Sequence, residues 1–132
     1  MFKGIDHVVI SVKDMTEGLA KYQAIFGREV SRTGEPPGAG FLTAHFDFEP
    51  TTVELVQPTD ETGPVARHVE RTGGGVYLLA MAVEDIDATL ADLRSKGVRL
   101  IGDPGEGNPV KGQVFVHPSE TGGVLMQLVP TS

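Results

Sequence analysis

The sequence predicts an α+β fold in which two βαβββ modules form a curved mixed sheet around a cavity. The main observation is an internal repeat, in which Ile5–Met15 aligns with Val76–Ile86 at an offset of 71 residues. The halves also end alike, because Val53–Val56 aligns with Met126–Val129 at an offset of 73 residues. Two segments that recur in the same order at nearly the same offset indicate a duplication.

The first module is predicted to span residues 1–60. A strand at Asp6–Val12 precedes Asp14, a good helix N-cap, and the following helix runs to about Phe26, where Gly27 ends it. Three further strands are predicted at residues 28–32, 41–48 and 52–56. A Gly/Pro-rich loop at residues 34–40 separates the first two of these strands.

Residues 61–75 are predicted as a linker with a short helix around Val65–Arg71, and the second module is predicted to span residues 76–132. Its first strand, Val76–Val83, precedes a helix that is capped by Asp85 and ends at Gly97. The remaining strands are predicted at residues 98–101, 113–117 and 124–129, after a second Gly/Pro-rich loop at residues 102–111.

Composition and charge exclude several classes of function. The 132 residues carry a net charge of −7, so there is no basic surplus to bind nucleic acid. Cysteine is absent, which excludes disulfides, thiolate catalysis and cysteine-ligated zinc. No apolar run approaches the length of a membrane span, and no signal-peptide core follows Met1. We therefore expect a cytoplasmic domain that binds neither nucleic acid nor membrane.

Strand alternation places a few polar side chains on one face of the predicted sheet. In the first strand, His7, Val9 and Ser11 share a face. If the wholly apolar strand faces meet the helices, the repeat places four equivalent positions around one cavity. These positions are His7, Glu54, Leu78 and Gln127. An imidazole and a carboxylate suit proton transfer, so His7 and Glu54 are predicted to be catalytic, although a structural His7–Glu54 pair fits the sequence as well.

The other predicted cavity residues are mostly apolar, which is typical of a small-molecule pocket. Gln127 is predicted to bond a substrate carbonyl with its amide. Further substrate contacts are predicted from Leu78, Ser11, Val9, Ala80, Phe115 and Leu125. This composition favours a small, largely apolar carbonyl or acyl compound as substrate.

The remaining histidines receive structural interpretations or none. His68 is expected on a solvated face of the linker helix, beside Arg67 and Glu70. His117 lies in a His-Pro turn, where a structural role is expected. His45 alternates with Phe46, and the sequence alone does not fix the face on which it lies.

Four segments carry a resemblance to a known family: Ile5–Val12, Val53–Pro58, Gly73–Val76 and, above all, His117–Leu125. With the repeat, they resemble the vicinal oxygen chelate superfamily of glyoxalases, bleomycin-resistance proteins and extradiol dioxygenases, and within it most the methylmalonyl-CoA epimerases. The resemblance covers nearly the whole chain. It implies a homodimer and a cavity that holds a divalent metal in the family.

The metal ligands of that family correspond here to His7, Glu54, Leu78 and Gln127. Leu78 has no donor atom, and Gln127 is a neutral amide where the family has a carboxylate. Three or four good donors are usual for Zn²⁺, Co²⁺ or Ni²⁺. We therefore expect no resident cofactor; a Co, Ni, Zn or Mn ion would have only His7, Glu54 and Gln127, completed by water or substrate.

The resemblance and the surviving polar residues together predict an epimerase-like protein that acts by proton transfer without a bound metal, with isomerase- or lyase-type chemistry. A non-catalytic protein that binds an antibiotic or metabolite is the alternative, favoured by the loss of metal donors. A metal-dependent methylmalonyl-CoA epimerase is a second alternative.

Overall fold

The computed structural model describes residues 1–131, and in this range the chain alternates strands and helices in the predicted order. The helices are α1 (Met15–Phe26), α2 (Pro64–Thr72) and α3 (Ile86–Ser95), with a 3-10 turn at Pro118–Glu120. The strands are β1 (Phe2–Ser11), β2 (Arg32–Gly34), β3 (Phe41–Asp47), β4 (Thr52–Pro58), β5 (Gly75–Val83), β6 (Leu100–Ile101), β7 (Val114–Val116) and β8 (Met126–Pro130). The order βαβββ therefore occurs twice, and the α+β fold class is confirmed.

The helix ends follow from local chemistry, as predicted. Asp14 caps α1 by accepting a hydrogen bond from the backbone N–H of Glu17 at 3.0 Å, and Asp85 caps α3 in the same way through Ala88 at 3.0 Å. Gly27 ends α1 in the left-handed region, with φ of 65°. No helix in residues 1–131 is long and apolar enough to cross a membrane.

The chain divides into two compact units, of which the first is His7–Tyr77. Its strands lie in the order β2-β3-β4-β1, with β1 parallel to β4 and the other pairs antiparallel. Helix α1 packs on one face of these strands through a core of Met15, Ala44, Phe46 and Leu55. The alternate residues of β1, β3 and β4 therefore lie on the face opposite α1.

The second unit consists of residues 1–6 and 78–131. Its strands β5, β8, β7 and β6 are neighbours in that order, with β5 parallel to β8 and antiparallel pairs beyond. Helix α3 packs on one face through Leu90 against Val83, Val114 and Leu128. The face opposite α3 carries the alternate residues, including Ala80, Phe115 and Gln127.

The strand registers give the two units matching cross-strand rows. In each row, neighbouring residues are Cα partners on adjacent strands, so their side chains share a face. The first-unit row is Arg32–His45–Glu54–Val9, and the second-unit row is Ile101–Phe115–Gln127–Ala80. Because Val9 pairs with Glu54 as Ala80 pairs with Gln127, the registers support the repeat seen in the sequence.

The prediction of a strand at residues 28–32 is wrong, because β2 begins only at Arg32. The side chain of Gln23 on α1 accepts a hydrogen bond from the backbone N–H of Val30 at 2.9 Å. The guanidinium of Arg28 lies 4.9 Å from the ring centre of Phe48. These contacts hold Arg28 and Val30 at the end of α1, and backbone bonding to β3 begins only after them, with the N–H of Ser31 donating to the carbonyl of His45 at 2.8 Å.

Candidate active site

The main polar feature opposite α1 is a hydrogen-bonded pair of His45 and Glu54. The register of β3 and β4 makes these two residues Cα partners, and Nε2 of His45 lies 3.0 Å from Oε1 of Glu54. Their side chains are 20% and 18% exposed. A carboxylate in such partial burial needs a hydrogen-bond donor, since removing it from water without a partner is costly. His45 supplies that donor.

The pair fixes the tautomer of His45 when Glu54 is ionised. A carboxylate only accepts hydrogen bonds, so the imidazole proton facing Glu54 lies on Nε2. The other nitrogen, Nδ1, is buried and has no hydrogen-bond partner among the described residues. A buried polar atom without a partner lowers the free energy of unfolding. His45 is therefore unfavourable at this position unless its contact with Glu54 is needed.

His7 lies on the same face of the first unit as Glu54. It is the Cα partner of Thr52, two residues before Val9, which is the partner of Glu54. Two residues along a strand correspond to about 6.6 Å, so the imidazole of His7 belongs to the same surface as the His45–Glu54 pair. Asp47 lies on this surface too, where it forms an ion pair with Arg32 and accepts a hydrogen bond from Thr52 at 3.0 Å.

Sequence reasoning did not assign His45, although a signal was present. Ala44 and Phe46 flank it and are fully buried under α1. Alternation therefore directs His45 to the opposite face. Only four residues connect β3 to β4, and that short connection restricts the register that makes His45 a partner of Glu54.

Ser11 lies at the end of β1 and is 1% exposed. Its Oγ is 2.7 Å from Nδ1 of His68 on α2 and 3.3 Å from the carbonyl oxygen of Gly75. The hydroxyl thus joins α2 and the loop before β5 to the strand end. The predicted role of Ser11 in substrate contact stays a prediction, beside this structural one.

The expectation that His68 lies on a solvated face is wrong, because the residue is 9% exposed. Burial lowers the pKa of His68, and the nearby positive charge of Arg71 acts in the same direction. The ring of Tyr77 packs edge-on against it, with centroids 5.1 Å apart, and burial raises the pKa of Tyr77. Sequence patterning misled because Arg67 and Glu70 beside His68 are polar.

The second unit carries the other predicted substrate-binding residues. Ala80, Phe115 and Gln127 are neighbours in the second-unit row, and Leu78 lies two residues before Ala80 on the same face. Leu125 precedes β8, and its carbonyl accepts a hydrogen bond from the N–H of Leu79 at 3.0 Å. The substrate contacts assigned to these residues, and to Val9 in the first unit, stay predictions.

The predicted metal ligands do not form a good donor set. Leu78 is an aliphatic side chain that is 7% exposed, and Gln127 offers only a neutral amide. Oε1 of Glu54 already accepts the hydrogen bond of His45. Across residues 1–131, no three histidine, aspartate or glutamate side chains cluster in a way that could hold a metal ion. The donors that this chain offers therefore do not fit the divalent metal of the family.

His117 has the structural role expected from its His-Pro turn. Its Nδ1 accepts a hydrogen bond from the backbone N–H of Ser119 at 3.0 Å, and Oγ of Ser119 is 2.8 Å from the same nitrogen. This contact caps the 3-10 turn at Pro118–Glu120.

The chain belongs to the Glyoxalase/Bleomycin resistance protein/Dioxygenase superfamily, whose family model matches residues 6–115. This finding confirms the resemblance that the sequence motifs indicated.

Within the superfamily, the chain is similar to epimerases of acyl-CoA compounds. The ethylmalonyl-CoA/methylmalonyl-CoA epimerase of Cereibacter sphaeroides is 31% identical over 131 residues, which cover 97% of this chain and 98% of that protein. The mitochondrial methylmalonyl-CoA epimerase of Homo sapiens is 30% identical over 129 residues, covering 94% and 72%. A variant of the Streptomyces coelicolor methylmalonyl-CoA epimerase, solved in complex with 2-nitronate-propionyl-CoA, superimposes with a TM-score of 0.81 at 32% identity and covers 100% of this chain and 99% of that one.

Proposed function

We propose that this protein is an epimerase-like enzyme that moves the α-proton of a small acyl substrate without a resident metal. The observation that carries the proposal is the half-buried carboxylate of Glu54, held 3.0 Å from Nε2 of His45 on the same sheet face as His7. Glu54 is the proposed base, and His7 is the proposed second proton-transfer residue. The similarity to acyl-CoA epimerases supports this reaction class.

The proposed reaction needs no oxidant or co-reactant. The bond between the α-carbon and its hydrogen breaks, the proton passes to Glu54, and the electron pair moves into the carbonyl group to form an enolate. A proton then returns to the opposite face of the α-carbon, and His7 is the proposed donor. An acid and a base on opposite faces of the carbon satisfy the stereochemical demand of epimerisation.

The proposed substrate class is a branched acyl-CoA thioester. A thioester acidifies the neighbouring C–H bond, which suits a carboxylate base. Methylmalonyl-CoA and ethylmalonyl-CoA are the first candidates, because they appear in the names of the similar enzymes. The apolar residues predicted as substrate contacts suit the alkyl branch of such a compound.

Proton exchange provides the test. We would follow loss of the α-proton signal of methylmalonyl-CoA and ethylmalonyl-CoA in deuterium oxide by NMR, with enzyme pre-treated with a chelator. We expect exchange to persist after chelation and to fall by about 10²–10⁴-fold in Glu54→Gln, which removes the base and keeps the shape. Exchange that is lost on chelation and restored by Co²⁺, or that survives in Glu54→Gln, would refute the proposal.

Leu78 favours a second candidate, a protein that binds a small molecule and does no chemistry. The resemblance assigns Leu78 to a ligand position of the family, and the absence of a donor atom in its aliphatic side chain supports this alternative. This alternative predicts saturable calorimetric binding of the same acyl-CoA compounds with no α-proton exchange. Either function is proposed for a homodimer, which light scattering coupled to size-exclusion chromatography would test.

A further inference from the structure

We infer that His45 is a positioning residue for Glu54, which orients one carboxylate oxygen and leaves the other to receive the proton. The inference deepens the proposed function and rests on it. The geometry comes from the hydrogen bond between Nε2 of His45 and Oε1 of Glu54, at 3.0 Å. Since Oε1 is engaged, the proton from substrate is directed to Oε2.

The internal repeat shows that the fold does not require a histidine at this place. The first-unit row has His45 beside Glu54, whereas the matching positions of the second-unit row hold Phe115 beside Gln127. Both pairs join antiparallel strands in equivalent registers. An apolar aromatic residue and a neutral amide therefore satisfy the same backbone arrangement in the same chain. At the two central positions of the first-unit row, the residues are an imidazole and a carboxylate, the groups that transfer protons.

The unpaired Nδ1 of His45 points to the same conclusion. A residue selected only to fill this position would not bring a buried nitrogen without a partner. The contact with Glu54 is what the imidazole provides. A base whose carboxylate is held in one orientation reaches its target more often than one that samples several rotamers, and misplacement by about 1 Å can cost about 10²-fold in rate.

The charged and titratable residues near the His45–Glu54 pair lie on the same face of the first-unit strands. Arg32 is the Cα partner of His45 on β2 and forms an ion pair with Asp47, the second neighbour of His45 along β3. His7 lies on β1 beyond Glu54. The opposite face is the apolar core under α1. A change in the pH profile on altering His45 can thus be compared with variants at three named groups: Arg32, Asp47 and His7.

The test compares four variants in the proton-exchange assay. His45→Phe copies Phe115 and removes the donor; we expect kcat to fall by about 10–100-fold with little change in KM, and the pH profile of kcat to shift. His45→Gln keeps an N–H group able to reach Oε1, so part of the rate should return. His45→Asn has an amide one carbon shorter and should not restore it. The double variant His45→Phe/Glu54→Gln copies the Phe115–Gln127 pair and should fold with a melting temperature close to that of the original chain, but show no exchange.

The outcomes separate the inference from the proposed function. No exchange in the original chain, or full exchange in Glu54→Gln, overturns the proposed function. An inactive Glu54→Gln together with original kcat and pH profile in His45→Phe overturns the inference alone. If His45→Phe does not fold, the comparison of His45→Gln with His45→Asn decides: higher kcat in the glutamine variant supports positioning, and equal kcat overturns it.

Discussion

The buried hydrogen bond between Ser11 and His68 predicts a large loss of stability on a very small change, Ser11→Ala. The substitution removes one oxygen atom from a residue that is 1% exposed and leaves Nδ1 of His68 without its partner at 2.7 Å. An unsatisfied buried polar group costs about 1–3 kcal/mol, and water cannot replace the lost partner in a site this closed. We expect the free energy of unfolding to fall by that amount.

The chain supplies a matched control for this prediction. Ser119 and His117 form the same chemical pair, with Oγ 2.8 Å from Nδ1, but in an exposed turn. There water takes the place of the hydroxyl, so Ser119→Ala should change stability by no more than about 0.5 kcal/mol. The two variants remove the same atom, but Nδ1 of His117 is exposed and also keeps the backbone N–H of Ser119 as a donor at 3.0 Å.

Urea unfolding at pH 7, followed by circular dichroism, measures both variants. With a slope of about 1.5–2 kcal/mol per molar urea, the expected loss in Ser11→Ala corresponds to a midpoint lower by about 0.5–2 M. The midpoint of Ser119→Ala should stay within about 0.3 M of the original. Equal midpoints for the two variants would refute the argument that burial of His68 makes its hydrogen bond important.

Three further predictions concern pH, metal content and a glycine. Burial lowers the pKa of His68 below its ordinary 6.5, so the unfolded chain binds a proton at higher pH than the folded chain does. The free energy of unfolding should therefore fall as pH drops below about 6.5, by up to about 1.4 kcal/mol per pH unit until the folded protein is also protonated. His68→Gln should remove this slope in unfolding measured from pH 7 to 5. Protein purified without added metal should contain far less than one equivalent of Co, Ni, Zn or Mn by mass spectrometry, and a stoichiometric metal that disappears in His7→Ala would contradict this. Gly102→Ala should destabilise the chain more than Gly38→Ala. Both glycines have positive φ (80° and 71°), but only at Gly102 would the new Cβ lie 2.3 Å from a backbone oxygen, that of Gln113. Equal melting temperatures for the two variants would refute this steric argument.

Much of the fold could be predicted because its signals are local or repeated. Asp14 and Asp85 cap helices through their own side chains, and Gly27 ends one with a backbone conformation that suits glycine. The misplaced β2 shows the limit of such signals. Contacts between Gln23 and Val30 hold that segment to the end of α1, and no pattern within residues 28–32 reveals them.

The candidate site was predicted in part, for a related reason. Alternation places Glu54 on β4 and His7 on β1 on the same face of the sheet, and the register of these two strands supports that placement. The partner of Glu54 depends on how β3 aligns with β4, a property of two strands and the turn between them. His68 was predicted to be solvated because its sequence neighbours Arg67 and Glu70 are polar. Its side chain is instead buried and bonded to the hydroxyl of Ser11, a contact from another element that the helix sequence does not reveal.

Duplication offers a physical reason why the His45–Glu54 pair lies in only one half of this chain. Both units keep an apolar core under one helix and equivalent registers on the other face, so the backbone places no different demand on matching positions. At those positions one copy holds Phe115 and Gln127, which are neutral and carry no cost of charge burial. The other copy holds His45, an imidazole with an unpaired nitrogen, and Glu54, a carboxylate that needs a hydrogen-bond donor. The partly buried carboxylate and the unpaired nitrogen cost free energy in the first unit only, and the second unit shows that the fold does not require them. This difference indicates that the carboxylate was selected for function and not for stability.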